Sequence, residues 1–188
     1  MQQAASTGYI AFDLETNGLF EELNSSTVDS NTRCPEITCG VTYRLIRGTQ
    51  EGEFVVDSVL QWYGDLEGGG MLPVEKTCEL VDYLVEQSEM GFAPIGWNSV
   101  GFDFKVLFCQ LLQKYQMPDK ASRLDRLREL VLSSVDPCLN FFMAKGFPVQ
   151  MRRVASGFGL ALNKSGDGEA AARIWEEGTA ADRMGVVR

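Results

Sequence analysis

Two carboxylates at alternate positions, Asp13 and Glu15, end a short apolar run that begins at Gly8. The run, GYIAFDL, predicts a buried strand whose C-terminal end lies at a site. Because side chains at i and i+2 point to the same side of a strand, both carboxylates face one way. Two adjacent anions repel each other unless a cation holds them, and Mg²⁺ and Mn²⁺ are hard cations that prefer carboxylate oxygens. The pair is therefore a candidate metal-ligand set.

The same D-x-E spacing occurs twice more, at Asp65/Glu67 and at Asp167/Glu169. Both of these pairs lie among glycines in polar segments, which is typical of solvated loop charges. Only the first pair follows an apolar strand. We therefore take Asp13 and Glu15 as the chemical candidates.

A third acidic residue, Asp103, follows the segment GWNSVGF. Here a short strand stops, the chain turns at Asn98, and a helix restarts near Phe102, which places Asp103 in the first helical turn. One interpretation is structural: a negative charge at a helix N-terminus stabilises it by about 0.3–1 kcal/mol, with Asn98 a turn residue. The other makes Asp103 a third carboxylate of the site. The segment alone leaves both open.

The remaining pattern predicts an α/β fold with a mixed sheet and helices packed against it. After a polar surface loop over 17–35, two β-rich runs are joined by turn residues 47–52 and should pair antiparallel. Beyond residue 122 no strand is predicted. The expected elements are strands over 8–14, 37–46, 53–63 and 93–97, helices over 73–89 and 102–115, and then helices broken near 137, 146–148 and 163–168.

Length and composition limit the class of protein. A chain of 188 residues with 45% hydrophobic residues suits one globular domain, here 1–188. The net charge of −9 argues against a broad basic face for nucleic acid. It does not exclude nucleic acid, because cations held by carboxylates can meet a phosphate.

The cysteines and the absence of long apolar runs bear on location. Five cysteines without a C-x-x-C pair indicate reduced thiols, and Cys34 and Cys39 lack the second ligand pair of a structural zinc site. No stretch reaches the length of a membrane span, and the N-terminus lacks the pattern of a signal peptide. We expect a cytoplasmic protein without a membrane partner.

The segments FDLETNG and WNSVGFD together resemble the DEDD superfamily of metal-dependent 3′-to-5′ exonucleases. Members have D-x-E on the first strand and N-x-x-x-F/Y-D at a later helix start, and the order, separation and contexts match here. Three later stretches look like the tyrosine subclass related to the exonuclease domains of family B DNA polymerases, so the resemblance covers essentially the whole chain. They are Asp136-Pro137, 163–168 and IWEEG over 174–178.

This resemblance implies a ribonuclease H-like fold and removal of single nucleotides from 3′ ends of single-stranded DNA or RNA, in proofreading or repair. It implies two Mg²⁺ or Mn²⁺ ions, with Asp13, Glu15 and Asp103 as the first three of four acidic residues. A polymerase or replication protein is the implied partner. The nucleic-acid contacts expected beside the carboxylates are Leu14, Thr16, Asn17, Asn98 and Phe102, and Lys164 and Arg173 are candidate phosphate contacts or solvated charges.

The chain departs from the family at its last motif, in which a Tyr or a His precedes the final Asp. It contains no His, and its last tyrosine is Tyr115. Asp182, the late helical Asp, is either a substitute metal ligand or a solvated helix charge. We expect a domain that lacks its C-terminal helix with the last motif and has little or no nuclease activity. The alternative is a nuclease-like module without catalysis that binds nucleic-acid ends or a replication partner.

Overall fold

The structure, a computed structural model, describes residues 7–17, 34–147, 149–159 and 168–187. Within them the chain is α/β, with a four-stranded mixed sheet and seven helices. The strands are β1 (Gly8–Thr16), β2 (Ile37–Arg47), β3 (Phe54–Tyr63) and β4 (Phe92–Ile95), in the order β3-β2-β1-β4. The expected α/β class and all four strands are confirmed.

The sheet is antiparallel on one side of β1 and parallel on the other. β2 pairs antiparallel with both β1 and β3. The pairing of β2 with β3 confirms the hairpin expected from the turn residues 47–52. β4 pairs parallel with β1, but over four residues only, from Gly8 opposite Phe92 to Ala11 opposite Ile95. The C-terminal half of β1, which carries the carboxylates, therefore extends beyond the end of β4.

Three helices cover one face of the sheet: α1 (Val74–Glu89), α2 (Asp103–Lys114) and α3 (Lys120–Ser133). The alternate residues Ile10, Phe12 and Leu14 of β1 point into this core and are at most 4% exposed. Burial of each such side chain stabilises the fold by about 1.5–3 kcal/mol. The helical residues packed against them include Leu80, Leu84, Phe104, Leu107 and Leu127.

Two C-terminal helices, α6 (Gly168–Glu177) and α7 (Ala180–Val187), lie on the other face. Trp175 of α6 is fully buried against Cys39 of β2. Arg183 of α7 is 6% exposed, and its guanidinium donates hydrogen bonds to the carbonyls of Trp175, Leu66 and Glu67. These bonds tie α7 to α6 and to the loop after β3.

The two remaining helices, α4 (Pro137–Lys145) and α5 (Met151–Gly157), contribute little to the core. One residue of each is buried, Cys138 and Ala155. The helical C-terminal third is thus confirmed for the described residues. As expected, no strand occurs there among the described residues, and Val135 forms only an isolated parallel bridge with Ile95.

Other expectations have simple outcomes. All five cysteines are free and buried. No helix among the described residues is long and apolar enough to cross a membrane. Most of the polar loop expected over 17–35, residues 18–33, lies outside the described residues, as does 163–167.

Candidate active site

Asp13 and Glu15 lie on the sheet face opposite the main helical core. In the register with β2, Asp13 is opposite Val41 and Glu15 is opposite Cys39. The Asp13 side chain is exposed, and Glu15 is half-buried. The pKa of the Cys39 thiol is raised to about 12, mainly by burial, and the nearby negative charges of Glu15 and Asp13 contribute to this rise. The two carboxylates therefore share one side of β1, as the alternate spacing predicts.

Asp103 reaches this strand from the start of α2. Because β4 ends opposite Ala11, the N–H of Leu14 has no strand partner on that edge of β1. It donates a buried hydrogen bond to Asp103 Oδ1 at 2.9 Å instead. An N–H left unpaired in the core would cost about 1–3 kcal/mol, so the carboxylate completes the sheet edge as well as the site.

The Asp103 carboxyl is 2% exposed. Burial, and then the negative charge of Asp13, raises its pKa well above the ordinary value, and Glu15 adds to this. The hydrogen bond from the Leu14 N–H acts in the opposite direction. The structure thus brings Asp13, Glu15 and Asp103 within electrostatic reach of one another.

The three carboxylates have the donor chemistry that Mg²⁺ and Mn²⁺ prefer, and a bound cation would relieve the repulsion that acts on Asp103. In this structure their oxygens are not arranged as a preformed metal site. Within the described ranges no three His, Cys, Asp or Glu side chains are already arranged to hold a metal ion. Asp103 Oδ1 points to the Leu14 N–H, so metal binding here requires the carboxylates to turn toward one another.

The turn between β4 and α2 carries Asp103 to the strand. A side chain at Gly96 would place its Cβ 2.7 Å from the Ser99 Cβ and 3.3 Å from the Phe12 carbonyl oxygen, so only glycine fits there. Asn98 has a φ of 61°, in the left-handed region that Asn tolerates better than most residues. Its carbonyl accepts a hydrogen bond from the Phe102 N–H at 2.9 Å, which starts the helix.

Asp136 holds this turn in place, and the sequence argument missed its role. Its carboxylate is 5% exposed and accepts hydrogen bonds from the N–H groups of Asn98 (2.9 Å), Val100 (3.0 Å) and Leu139 (3.2 Å). The last bond makes it the N-cap of α4, with Pro137 at the first helical position. An Asp-Pro pair before an apolar run was the available signal for the cap. Its two bonds to the turn have no sequence signal.

Three of the expected nucleic-acid contacts are packed into the protein. Leu14 and Thr16 are 3% and 6% exposed, and Phe102 is half-buried against the core. Leu14 therefore serves the site through its backbone N–H. The Asn98 side chain is exposed at the turn.

Asn17 lies where β1 ends. Its N–H donates to the Glu36 carbonyl at 3.1 Å, and its Oδ1 accepts from the Glu36 N–H at 2.9 Å. This pair joins the two ends of the 18–35 segment beside the site. Lys164 lies outside the described residues, and Arg173 is exposed on α6.

Asp182 lies in a different setting from the other three acidic residues. Its exposed carboxylate accepts hydrogen bonds from the N–H and the Oγ1–H of Thr179, at 2.9 and 2.7 Å, and its own N–H donates to Thr179 Oγ1. This reciprocal arrangement is a capping box at the start of α7. The bonds from Thr179 lower the pKa of Asp182.

Comparison with known proteins adds no further assignment. No model of a known protein family matches the chain, and no curated protein matches it. The functional argument therefore rests on the motifs in the sequence and on the geometry of these residues.

Proposed function

We propose that this chain is a metal-dependent 3′-to-5′ exonuclease domain acting on single-stranded nucleic acid, with DNA favoured, in proofreading or repair. One observation carries the proposal: a buried carboxylate from a later helix start meets the strand that bears the D-x-E pair. Asp103 bonds to the Leu14 N–H between Asp13 and Glu15, and both charges raise its pKa. A structural helix charge needs neither feature.

The proposed fold is ribonuclease H-like. The order β3-β2-β1-β4, with β4 alone parallel to β1, supports this assignment. So does the parallel bridge of Val135 to Ile95, because it adds a short fifth position beyond β4. In this arrangement the acidic residues lie where β1 extends past β4.

The carboxylates Asp13, Glu15 and Asp103 would hold Mg²⁺ or Mn²⁺. Such cations, when bound, supply activated water and neutralise charge on a phosphodiester. The Leu14 N–H orients the Asp103 carboxyl from behind, and Asp136 fixes the turn that delivers it. A bound cation would relieve the repulsion from Asp13 and Glu15 that raises the pKa of Asp103.

The test is a cleavage assay with 5′-labelled single-stranded DNA and Mn²⁺. The wild-type chain should shorten the DNA stepwise from its 3′ end, slowly. Asp13→Asn should not, and Asp125→Asn should behave as wild type because that residue is exposed on α3 and pairs only with Arg128 among the described residues. A ladder that survives in Asp13→Asn would refute the proposed site.

A second function is favoured by the setting of Asp182. Its carboxylate is already engaged by Thr179, and no fourth acidic residue is seen to join the three within the described part of the chain. The second candidate is therefore a nuclease-like module that binds nucleic-acid ends, or a polymerase or other replication protein, without cleaving. It predicts DNA binding and no ladder, with Mn²⁺ absent or present.

A further inference from the structure

The segment from α4 to α5, residues 137–159, differs in charge from the rest of the chain. It contains three basic residues, Lys145, Arg152 and Arg153, and no Asp or Glu, in a protein whose net charge is −9. All three side chains are exposed. None of the ion pairs formed among the described residues includes them.

The same segment exposes large apolar side chains. Single exposed apolar residues are ordinary on a protein surface, but several of them within one short segment indicate binding. They are Leu139 (43% exposed), Phe142 (42%), Met143 (76%), Phe147 (58%) and Phe158 (73%). Exposed aromatic rings combined with unpaired cations are the combination by which proteins hold single-stranded nucleic acid.

The start of α4 lies against the turn that leads to Asp103. Asp136, the N-cap of α4, binds the N–H groups of Asn98 and Val100 in the turn that leads to Asp103. On the same turn, the Trp97 ring lies against the Phe141 ring of α4, with centroids 6.1 Å apart. A strand of nucleic acid lying along α4 would therefore reach the turn that positions Asp103.

We propose that the exposed face of residues 137–159 binds the single strand that enters the site, with its phosphates on Lys145, Arg152 and Arg153 and its bases on the exposed rings. The inference rests on the proposed function for its substrate. Electrostatics favours it over a protein partner, because the acidic centre repels phosphate and a cationic approach must lie elsewhere on the molecule. Lys145, Arg152 and Arg153 are exposed and form none of the ion pairs seen among the described residues.

The first experiment measures binding of fluorescein-labelled oligo(dT) by anisotropy in EDTA, so that metal plays no part. Arg152→Glu/Arg153→Glu should weaken binding at least about tenfold and reduce the slope of log affinity against log salt by about 1.4, at about 0.7 per lost phosphate contact. The matched control is Arg47→Glu/Arg128→Glu, with the same change in charge. Arg47 ends β2 beside the N-terminal end of β1, which is the end away from the carboxylates. Arg128 is exposed on α3.

A second pair of variants tests the rings. Phe142→Ala should weaken binding about tenfold, as for the loss of one stacked base. Leu132→Ala, at a residue that is 80% exposed on α3, should leave binding unchanged. Equal losses in test and control variants, no response in either pair, or no binding by the wild type would overturn the proposal. No response in either pair of variants is the result expected if this surface binds a protein partner instead.

Cleavage assays separate this inference from the proposed function. If the wild type binds through this face but no ladder forms with Mn²⁺, the face is retained and the exonuclease proposal fails. If a ladder forms while the charge-reversed variant keeps wild-type affinity and KM, the exonuclease proposal is retained and the face is rejected.

Discussion

The starts of α2 and α7 make a controlled comparison, because each helix has an aspartate in its first turn. Asp103 is buried, accepts a bond from a distant strand, and has a raised pKa. Asp182 is exposed, bonds to a residue three positions away, and has a lowered pKa. The helix position is similar, so what distinguishes the two residues is what the rest of the fold brings to them.

The largest expected difference is in metal-dependent cleavage. Asp103→Asn should lower any Mn²⁺-dependent shortening of DNA at least about 100-fold, since even outer partners of metal ligands commonly cost about 10–100-fold when lost. Asp182→Asn should change it less than about twofold. Single-turnover rates on 5′-labelled DNA measure both. A large loss in Asp182→Asn instead would make that residue the fourth ligand.

Removing the support of Asp103 should be costly to stability. Asp136→Ala leaves three backbone N–H groups without their acceptor and removes the cap of α4, so the free energy of unfolding should fall by about 2–4 kcal/mol. Urea denaturation measures this, with Asp125→Ala as a surface control expected within about 0.5 kcal/mol. A loss as small as the control's would mean that the turn holds itself.

The pH dependence of stability should have opposite signs at the two helix starts. The folded-state pKa of Asp103 is raised, so the unfolded chain ionises this group first as pH rises. Its contribution therefore turns unfavourable from its ordinary pKa upward, and levels off above the folded-state pKa. In EDTA at neutral pH, Asp103→Asn, which keeps an acceptor for the Leu14 N–H, should stabilise the protein by about 0.5–2 kcal/mol.

The stabilisation of Asp103→Asn should vanish toward pH 3, where the Asp103 carboxyl of the wild type is neutral in both the folded and the unfolded state. Thermal denaturation of both proteins across this pH range measures the difference. Asp182 behaves in reverse: its folded-state pKa is lowered, so its favourable contribution is present above its ordinary pKa and is lost as pH falls. A gain in Asp103→Asn that did not depend on pH would assign it to packing and not to charge.

The smallest expected effect is at the cap of α7. Thr179→Ala removes the hydroxyl that accepts from the Asp182 N–H and donates to its carboxylate, while the bond from the N–H of residue 179 to Asp182 remains, and it should lower the free energy of unfolding by about 0.5–1 kcal/mol. Binding of oligo(dT) should not change. Thermal denaturation and anisotropy on the same preparation measure the two quantities, and a weakened affinity would link α7 to the nucleic-acid face.

Local patterns were enough to predict most elements. The apolar run of β1, the turn residues before β3 and helical spacing in α1 and α2 are short-range signals, and each element formed within a few residues of the expected bounds. The position of Asp103 in the first turn of α2 was predicted in the same way. These features depend on neighbours in sequence.

The assembly of the site could not be predicted from local patterns. It depends on β4 stopping opposite Ala11, on Asp136 reaching back to the turn at Asn98, and on Trp175 covering Cys39 beside the carboxylate face. Each of these contacts joins segments far apart in sequence, and the residues involved have ordinary local roles as a strand end, a helix cap and an apolar helix position.

The bond between the Leu14 N–H and Asp103 joins residues 89 positions apart. The entropy of closing so long a loop must be overcome before the bond can form. During synthesis, Asp13 and Glu15 leave the ribosome well before Asp103, and Asp136 follows later still. The growing chain therefore carries the first two acidic residues without their partner, and the proposed metal site can be complete only after Asp103 has been made.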